Sequence, residues 1–401
     1  MHILHIEESF IPNLGYQINL LTKYMALDGH KITILSTKLD KIVENQKVYL
    51  TEDIKTQEEE LKKIFNIDVI RVPVKGLVSN RCYWDKSVFS LIQEINPDVI
   101  YLHGNDSLVA MQYFLFYLKK INIPVVTDSH MLEVASRNRF ARFFRIFYRK
   151  FITPILVKNQ IPVIRVVDDN FINVAYNIPY ELSPLMSFGS DVDLFHPNDK
   201  VKKEFREENL IRADDFVVVY AGKLSEDKDA LFFAQSIREK ISSLNRKVVF
   251  VIIGNTHGEY GKNVEEIFAK SENKIIRFPL QKYNDLPKFF QMADVALIPS
   301  AASLTFYDMQ AAGLPIIWSD IPVNEKRTIN ENGFLFSAKS SKDMRNQIIK
   351  CSNMDKSSFE VISKNARKYI VEQFSYKDVA GKYIRVLENE IIKRERYKKY
   401  R

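Results

Sequence analysis

Two stretches carry residue types that can hold a nucleotide. The first runs from Val217 to Lys228 as Val-Val-Val-Tyr-Ala-Gly-Lys-Leu-Ser-Glu-Asp-Lys, an apolar strand entering a turn with two lysines, Lys223 and Lys228. The second runs from Asp308 to Pro315 as Asp-Met-Gln-Ala-Ala-Gly-Leu-Pro, a carboxylate on a helix that stops at Gly-x-Pro. Two cations at the start of a helix suit a diphosphate, because that end of a helix is itself positive. A nearby carboxylate suits the diol of a ribose. The structural alternatives are plain ones, surface lysines at a helix start and an ordinary helix-face acid. Lysine is disfavoured beside a positive dipole end, so a pair there argues for an anion.

Such groups need strands to place them. Strands are expected over residues 2–6, 31–35, 68–72, 99–102, 125–127 and 162–167, and again over 216–221, 248–253, 274–278, 295–298 and 315–318. Helices fit between them, for example over 16–26 and 107–117. The Val/Ile runs are continuous rather than alternating, which indicates parallel strands buried on both faces. The expected class is therefore α/β, with two doubly wound parallel sheets. The turn-rich segment Phe188–Pro197 and the charged stretch after it separate two halves, so the domains are expected at 1–197 and 198–375. A ligand in such a pair belongs in a cleft beyond the carboxyl ends of the strands. Residues 376–401 form a long basic helix, expected to pack back across the linker.

The chain has 401 residues, too many for one compact core. Its 46% hydrophobic and 27% charged residues are those of a globular protein, and no apolar run reaches the roughly 18 residues of a membrane span. The start passes straight into a strand with no signal-peptide pattern, so a cytoplasmic location is expected. The two cysteines, Cys82 and Cys351, lie far apart and outside any metal-binding cluster. The net charge of +8 favours anionic partners without choosing among phosphates, nucleic acid and membrane.

In this order and at this length the motifs resemble a retaining glycosyltransferase of the GT-B fold, most similar to family 4. The pieces are Gly15 in the first strand–helix loop, Gly29-His30, Pro97 to His103, Val126 to His130, the phrase Gly189-x-Asp-x-Asp-x-Phe-x-Pro197, Ala221-Gly-Lys-Leu with Lys228, Ala293 to Ser300, the Asp308 helix, and Asn332 to Phe336. The resemblance implies two Rossmann-like domains, a nucleotide-diphosphate sugar as donor, no cofactor and no metal. It assigns stabilisation of the departing diphosphate to a basic pair, usually Arg then Lys, here Lys223 and Lys228. Lysine supplies charge without the two-pronged fork of arginine. It gives Asp308 the ribose, where relatives have the longer Glu. It places His130 beside the transferred sugar and its phosphate; His103 occupies a similar strand end, where a structural role is the commoner reading and a functional one stays open. Gly15 allows a close backbone approach to phosphate or acceptor, and Gln281 corresponds to a position that meets the base through its backbone.

The sugar loop departs from the family. A second Glu is usual eight positions before the helix carboxylate, and here that position is Ser300. Backbone N–H groups of Ser303, Leu304 and Thr305 are expected to face the donor sugar or phosphate instead. The same departure keeps a non-catalytic binding or scaffold protein of this fold open as an alternative. A nucleotide-sugar epimerase is a further one, although it needs an acid–base carboxylate that is not evident near the Asp308 helix. A sugar phosphorylase needs a much longer chain and a pyridoxal lysine. No metal set is expected, since Asp191 and Asp193 belong to the linker phrase and Asp168-Asp169 lack a third ligand.

Residues 139–151 place Phe140, Phe143, Phe144, Phe147 and Phe151 on one helical face and Arg139, Arg142, Arg145 and Arg149 on the other. A core-facing aromatic stripe is the commoner explanation. The polarity of this helix also suits an anionic membrane surface, and so a peripheral enzyme with a glycan or lipid-linked acceptor. Nucleic acid is not expected as a partner.

Overall fold

The computed structural model describes residues 1–42, 47, 50, 53–78, 81–131, 141–244, 246–299 and 303–399. The chain divides into two compact units, Met1–Phe188 with Tyr376–Arg401, and Gly189–Ser375.

In the first unit the strands are β1 (His2–Glu7), β2 (Lys31–Thr37), β3 (Ile67–Val72), β4 (Val74–Val78), β5 (Arg81–Trp84), β6 (Val99–Leu102), β7 (Val125–Ser129) and β8 (Val163–Arg165). Six of them form a parallel sheet in the order β3-β2-β1-β6-β7-β8, while β4 and β5 form a separate antiparallel hairpin. In the second unit β9 (Phe216–Ala221), β10 (Val248–Ile253), β11 (Lys274–Phe278), β12 (Val295–Ile298), β13 (Ile316–Ser319) and β14 (Gly333–Phe336) form a parallel sheet in the order β11-β10-β9-β12-β13-β14. Every residue of β9 and β10 is buried, as their unbroken Val/Ile/Phe content requires.

Each sheet reverses direction once, between β1 and β6 and between β9 and β12. Helices leave the sheet on opposite sides at such a point, and the diverging loops open a crevice at the carboxyl ends of the two strands. The residues following β1, β6, β9 and β12 are therefore those the fold offers to a ligand.

Two expectations need correction, the unit boundary and the helix expected over 107–117. The unit boundary lies at Phe188/Gly189 rather than at Pro197. The phrase Gly189–Pro197 is bound into the second unit, where Ser190 N donates to Phe374 O at 2.9 Å and the Arg367 guanidinium donates to Phe195 O at 2.9 Å. The helix Tyr376–Lys399 belongs to the first unit: Gln17 Nε2 donates to the Tyr383 hydroxyl at 2.9 Å, which donates in turn to Met186 O at 3.0 Å. The helix expected over 107–117 is α-helical only at Leu108–Gln112 and then widens into a π turn at Tyr113–Tyr117.

A second π turn, at Tyr148–Ile152, follows the helix Ala141–Phe147. Phe144, Tyr148, Ile152 and Leu156 join the core, while Phe143, Ile146, Phe147 and Phe151 stay exposed. The expected single phenylalanine face is thus split by Phe144. Arg145 and Arg149 do not line a free basic face. Arg145 lies over the Phe171 ring at 5.1 Å, and Arg149 donates to Ala175 O and Val174 O at 2.7 and 2.9 Å. Arg139 and Phe140 lie outside the described residues.

Candidate active site

In the first unit the crevice is built by β1, β6 and β7. After β6, His103 is followed by Gly104 at φ +73° and by Ser107, whose hydroxyl caps the next helix by accepting from Ala110 N at 3.0 Å. This turn is tied to Tyr148, whose hydroxyl accepts from Asn105 Nδ2 at 2.8 Å, and to Asp128 near the end of β7. Its Oδ1 accepts from Gly104 N at 2.7 Å, and its backbone carbonyl accepts from Asn105 N at 2.8 Å. Its Oδ2 accepts from the Tyr101 hydroxyl at 2.8 Å and faces His103 Nδ1 at 3.2 Å. His130 Nε2 stands 3.4 Å from Oδ1, with its ring partly exposed. Behind His103, its Nε2 meets His5 Nδ1 at 3.0 Å.

Burial acts against ionisation of Asp128, but the facing His130 and His103 overcome it and hold the carboxyl well below its usual range. Burial likewise works against a charged His130, and Asp128 outweighs it, so His130 is protonated more readily than a free histidine. His5 is displaced well downward by burial and by His103, and stays neutral.

At the end of β1 lie two acids that the sequence reading overlooked, Glu7 and Glu8. Burial raises both, Glu8 to about 7, where a carboxyl can give or take a proton at neutral pH. Two consecutive acids at a strand's carboxyl end were the available signal. Gly15 adopts φ +69° just before the helix Gln17–Leu27, in the loop that leaves this end of β1.

In the second unit the β9 and β10 ends run in contact. Gly254 has φ +143°, and a Cβ there would stand 2.0 Å from Gly222 O, so this approach is open only to glycine. Lys223 follows and is exposed, its carbonyl fixed by the Tyr220 hydroxyl at 2.7 Å. The helix begins only at Ala230, after a 3-10 turn at Glu226–Lys228 and a left-handed Asp229. The lysines therefore precede the helix rather than sit in its first turn, and Glu226 and Asp227 share the turn with Lys228. Their claim rests on position beside the switch point more than on the helix dipole.

Across that point, after β12, comes the helix Thr305–Ala311 with Asp308. Asp308 Oδ1 accepts from Ser190 Oγ at 2.6 Å and from the Tyr283 hydroxyl at 3.3 Å. Burial, which these two bonds only partly offset, pushes its carboxyl up to about 7. Of the sugar loop, Ser300 lies outside the described residues. Thr305 N donates to Ser303 Oγ at 3.3 Å. Ser303 O accepts from Arg327 Nη1 at 3.4 Å, and the Arg327 guanidinium stacks over Phe306 at 4.1 Å. Arg327 is a cation beside this loop that the sequence did not single out. Leu304, the residue before the helix, is exposed. Gln281 follows the outermost strand β11, with β10 between it and β9, and its side chain folds back on Pro279 O at 2.8 Å.

Lys223, Lys228 and Asp308 thus flank one crevice, and His130 belongs to the other unit's crevice with His103, Asp128 and Glu7. Residues 201–368 match the model of the family described as glycosyl transferases group 1. The whole chain superposes on a glycosyltransferase from Rickettsia africae with a TM-score of 0.73 at 19% identity, covering 97% of this chain and 98% of that one. The chain has the GT-B fold. HepE from Anabaena, solved with UDP and glucose, shares that fold at a TM-score of 0.70 and 16% identity, over 97% and 100% of the two chains. In sequence, a lipopolysaccharide 1,2-N-acetylglucosaminetransferase from Salmonella typhimurium is 22% identical over 291 residues, 67% of this chain and 73% of the relative. The family match and these relatives together support a glycosyltransferase of GT-B type.

Proposed function

We propose that this protein is a retaining glycosyltransferase, most similar to family 4, that moves a sugar from a nucleoside-diphosphate donor to a glycan or lipid-linked acceptor of a surface polysaccharide or glycolipid. The observation that carries it is the switch point between β9 and β12, where Lys223 and Lys228 leave one strand and Asp308 follows the other, within the matched region. A diphosphate beside the lysines and a ribose on Asp308 fit that crevice. HepE was solved with UDP and glucose, and the Salmonella relative is named as a transferase onto lipopolysaccharide, which supports the same classes here.

In this reading the bond between the anomeric carbon and the diphosphate oxygen breaks as the acceptor hydroxyl oxygen bonds to the same face of that carbon. The acceptor's proton passes to the departing phosphate. Lys223 and Lys228 neutralise the charge that develops on the diphosphate without a metal. The exposed Phe143, Ile146, Phe147 and Phe151, with exposed Arg142 and Lys150 among them, suit the surface of an anionic membrane. No helix among the described residues is long and apolar enough to cross one.

Turnover of a panel of UDP-, GDP-, ADP- and TDP-sugars tests the assignment. One donor class should be hydrolysed or transferred, and the Lys223→Ala/Lys228→Ala double variant should lose at least about a hundredfold in rate, as expected for two charge-stabilising contacts. A double variant that retains activity within a few fold, or a protein that turns over no donor, overturns the proposal.

A further inference from the structure

The first-unit crevice contains a polar chain more elaborate than a turn needs. His5 on β1, His103 after β6, and Asp128 and His130 at the end of β7 are linked in series across three adjacent strands. Asp128 is ionised, so the nitrogen that faces it, His103 Nδ1, must carry hydrogen. His103 Nε2 in turn meets His5 Nδ1 at 3.0 Å, and His5 Nε2 is buried with no hydrogen-bond partner. The chain is therefore a dead end at His5. A proton added there would sit in the sheet interior, unpaired and fully buried.

At the other end His130 has its Nε2 on Asp128, while its Nδ1 makes no hydrogen bond to a described residue. If His130 were neutral, donating from Nε2, its Nδ1 would show a lone pair to the crevice and repel an anion. Only the imidazolium donates from both nitrogens at once. Among the described residues the charges that act on His130 are acidic, namely Asp128 on β7, Glu7 on β1 and Asp106 in the loop after β6, which is itself paired with Arg81 at 2.9 Å, and the Phe188 ring lies 5.7 Å away.

We propose that Asp128 is a positioning residue whose buried carboxylate, anchored by Tyr101, Gly104 and the His5–His103 pair, aims His130 and keeps it a two-sided donor to an anionic group in the crevice. That the group is of the phosphate class rests on the proposed function, but the placement of the proton does not depend on it. The consequence is a binding step that needs one proton on His130. Affinity for the anion is present at low pH and is lost as pH rises through the His130 titration.

The test is 15N-histidine NMR of the whole, ligand-free chain, with the His130 signal assigned by its loss in His130→Gln. His130 should titrate above the free-histidine value, and His5 should remain neutral. In Asp128→Asn the His130 titration should fall below its wild-type value. If that variant does not fold, Tyr101→Phe serves in its place. It removes one donor from the carboxylate, makes it a stronger acceptor, and should move the titration upward. A wild-type His130 that titrates at or below the free value overturns the proposal, and so does one that stays unmoved in the folded variants. With the NMR result as expected, loss of the lysine pair without effect on turnover would count against the proposed function alone.

Discussion

Asp308 offers the sharpest physical test, because its environment has a definite sign. The carboxyl is buried with two hydroxyl donors, from Ser190 and Tyr283, and no cation, and its pKa rises from 3.8 to about 7. At about 1.4 kcal/mol per pH unit this corresponds to roughly 4 kcal/mol as an upper bound, since the side chain keeps some contact with water. An acid raised in the folded state favours folding when protonated. Its contribution is complete below 3.8, falls as pH rises, and is exhausted once pH passes about 7. Asp308→Asn keeps the acceptor oxygen for Ser190 and removes the ionisation. The variant should therefore gain on the wild type by about 2 kcal/mol between pH 5 and pH 7, near 5 °C in the thermal midpoint of a unit this size, and gain nothing more above pH 8. Melting curves of both proteins at half-unit pH intervals measure this. A gap between the two that does not change with pH would refute the claim that burial governs this carboxyl. In the proposed function the same variant loses an acceptor for the ribose, so nucleotide affinity should drop even where stability rises.

Further outcomes follow from other contacts. Asp294 binds Lys202, Arg206 and Arg246 at 2.9, 2.8 and 3.3 Å, so Asp294→Asn leaves the buried Arg206 unpaired and should cost about 3–5 kcal/mol in urea unfolding. Burial opposes its charge, but these cations hold its pKa down, so this stabilisation is present above 3.8 and is lost as pH falls through the lower folded value. Gly254→Ala forces a Cβ onto Gly222 O and should lower the thermal midpoint by several degrees and weaken any nucleotide site beside Gly222, which calorimetry would detect. Phe143→Glu with Phe147→Glu removes exposed apolar area and adds negative charge, so it should reduce sedimentation with phosphatidylglycerol vesicles at least tenfold without changing the melting temperature. Equal sedimentation of both proteins would remove the membrane from the proposal.

The parallel strands were legible because they are the least ambiguous signal in the chain. β9, β10, β11 and β12 begin and end where their Val/Ile runs do. The hairpin β4–β5 was not read, since Val74–Val78 is mostly exposed and carries Lys75 and Gly76 in place of an apolar run. β14 is obscured in the sequence because Asn332-Gly333 is a turn signal. In the structure Asn332 Oδ1 does close a turn on Ile329 N, and Gly333 then enters the sheet where a Cβ would stand 2.6 Å from Ile316 O. The two π turns were invisible to a period of 3.6, and they alter which phenylalanines between 141 and 152 meet the core.

The candidate site divides in the same way. Lys223 and His130 stand just beyond readable strands, and Lys228 and Asp308 lie on the turn and the helix that follow such strands, which raises them above an average surface residue, so they could be picked out. Asp128 could not. Its role depends on Tyr101, Gly104, His103 and His130 arriving from one neighbouring strand and two loops, and local sequence shows only an acid in a buried strand, which reads as a fault in the pattern. The same holds for His5, which looks like a polar interruption in Ile3–Ile6 until β6 brings His103 to within 3.0 Å. A buried polar residue in a parallel strand costs stability unless another strand completes it. Such interruptions near a strand's carboxyl end, beside the point where the sheet order reverses, are therefore where a sequence of this class should be searched for the partners of its catalytic groups. Glu7, Glu8 and Arg327 were overlooked for the opposite reason. They look like ordinary surface charges, and only burial, which the sequence does not state, gives the two acids their raised pKa values and leaves the arginine stacked on an aromatic ring.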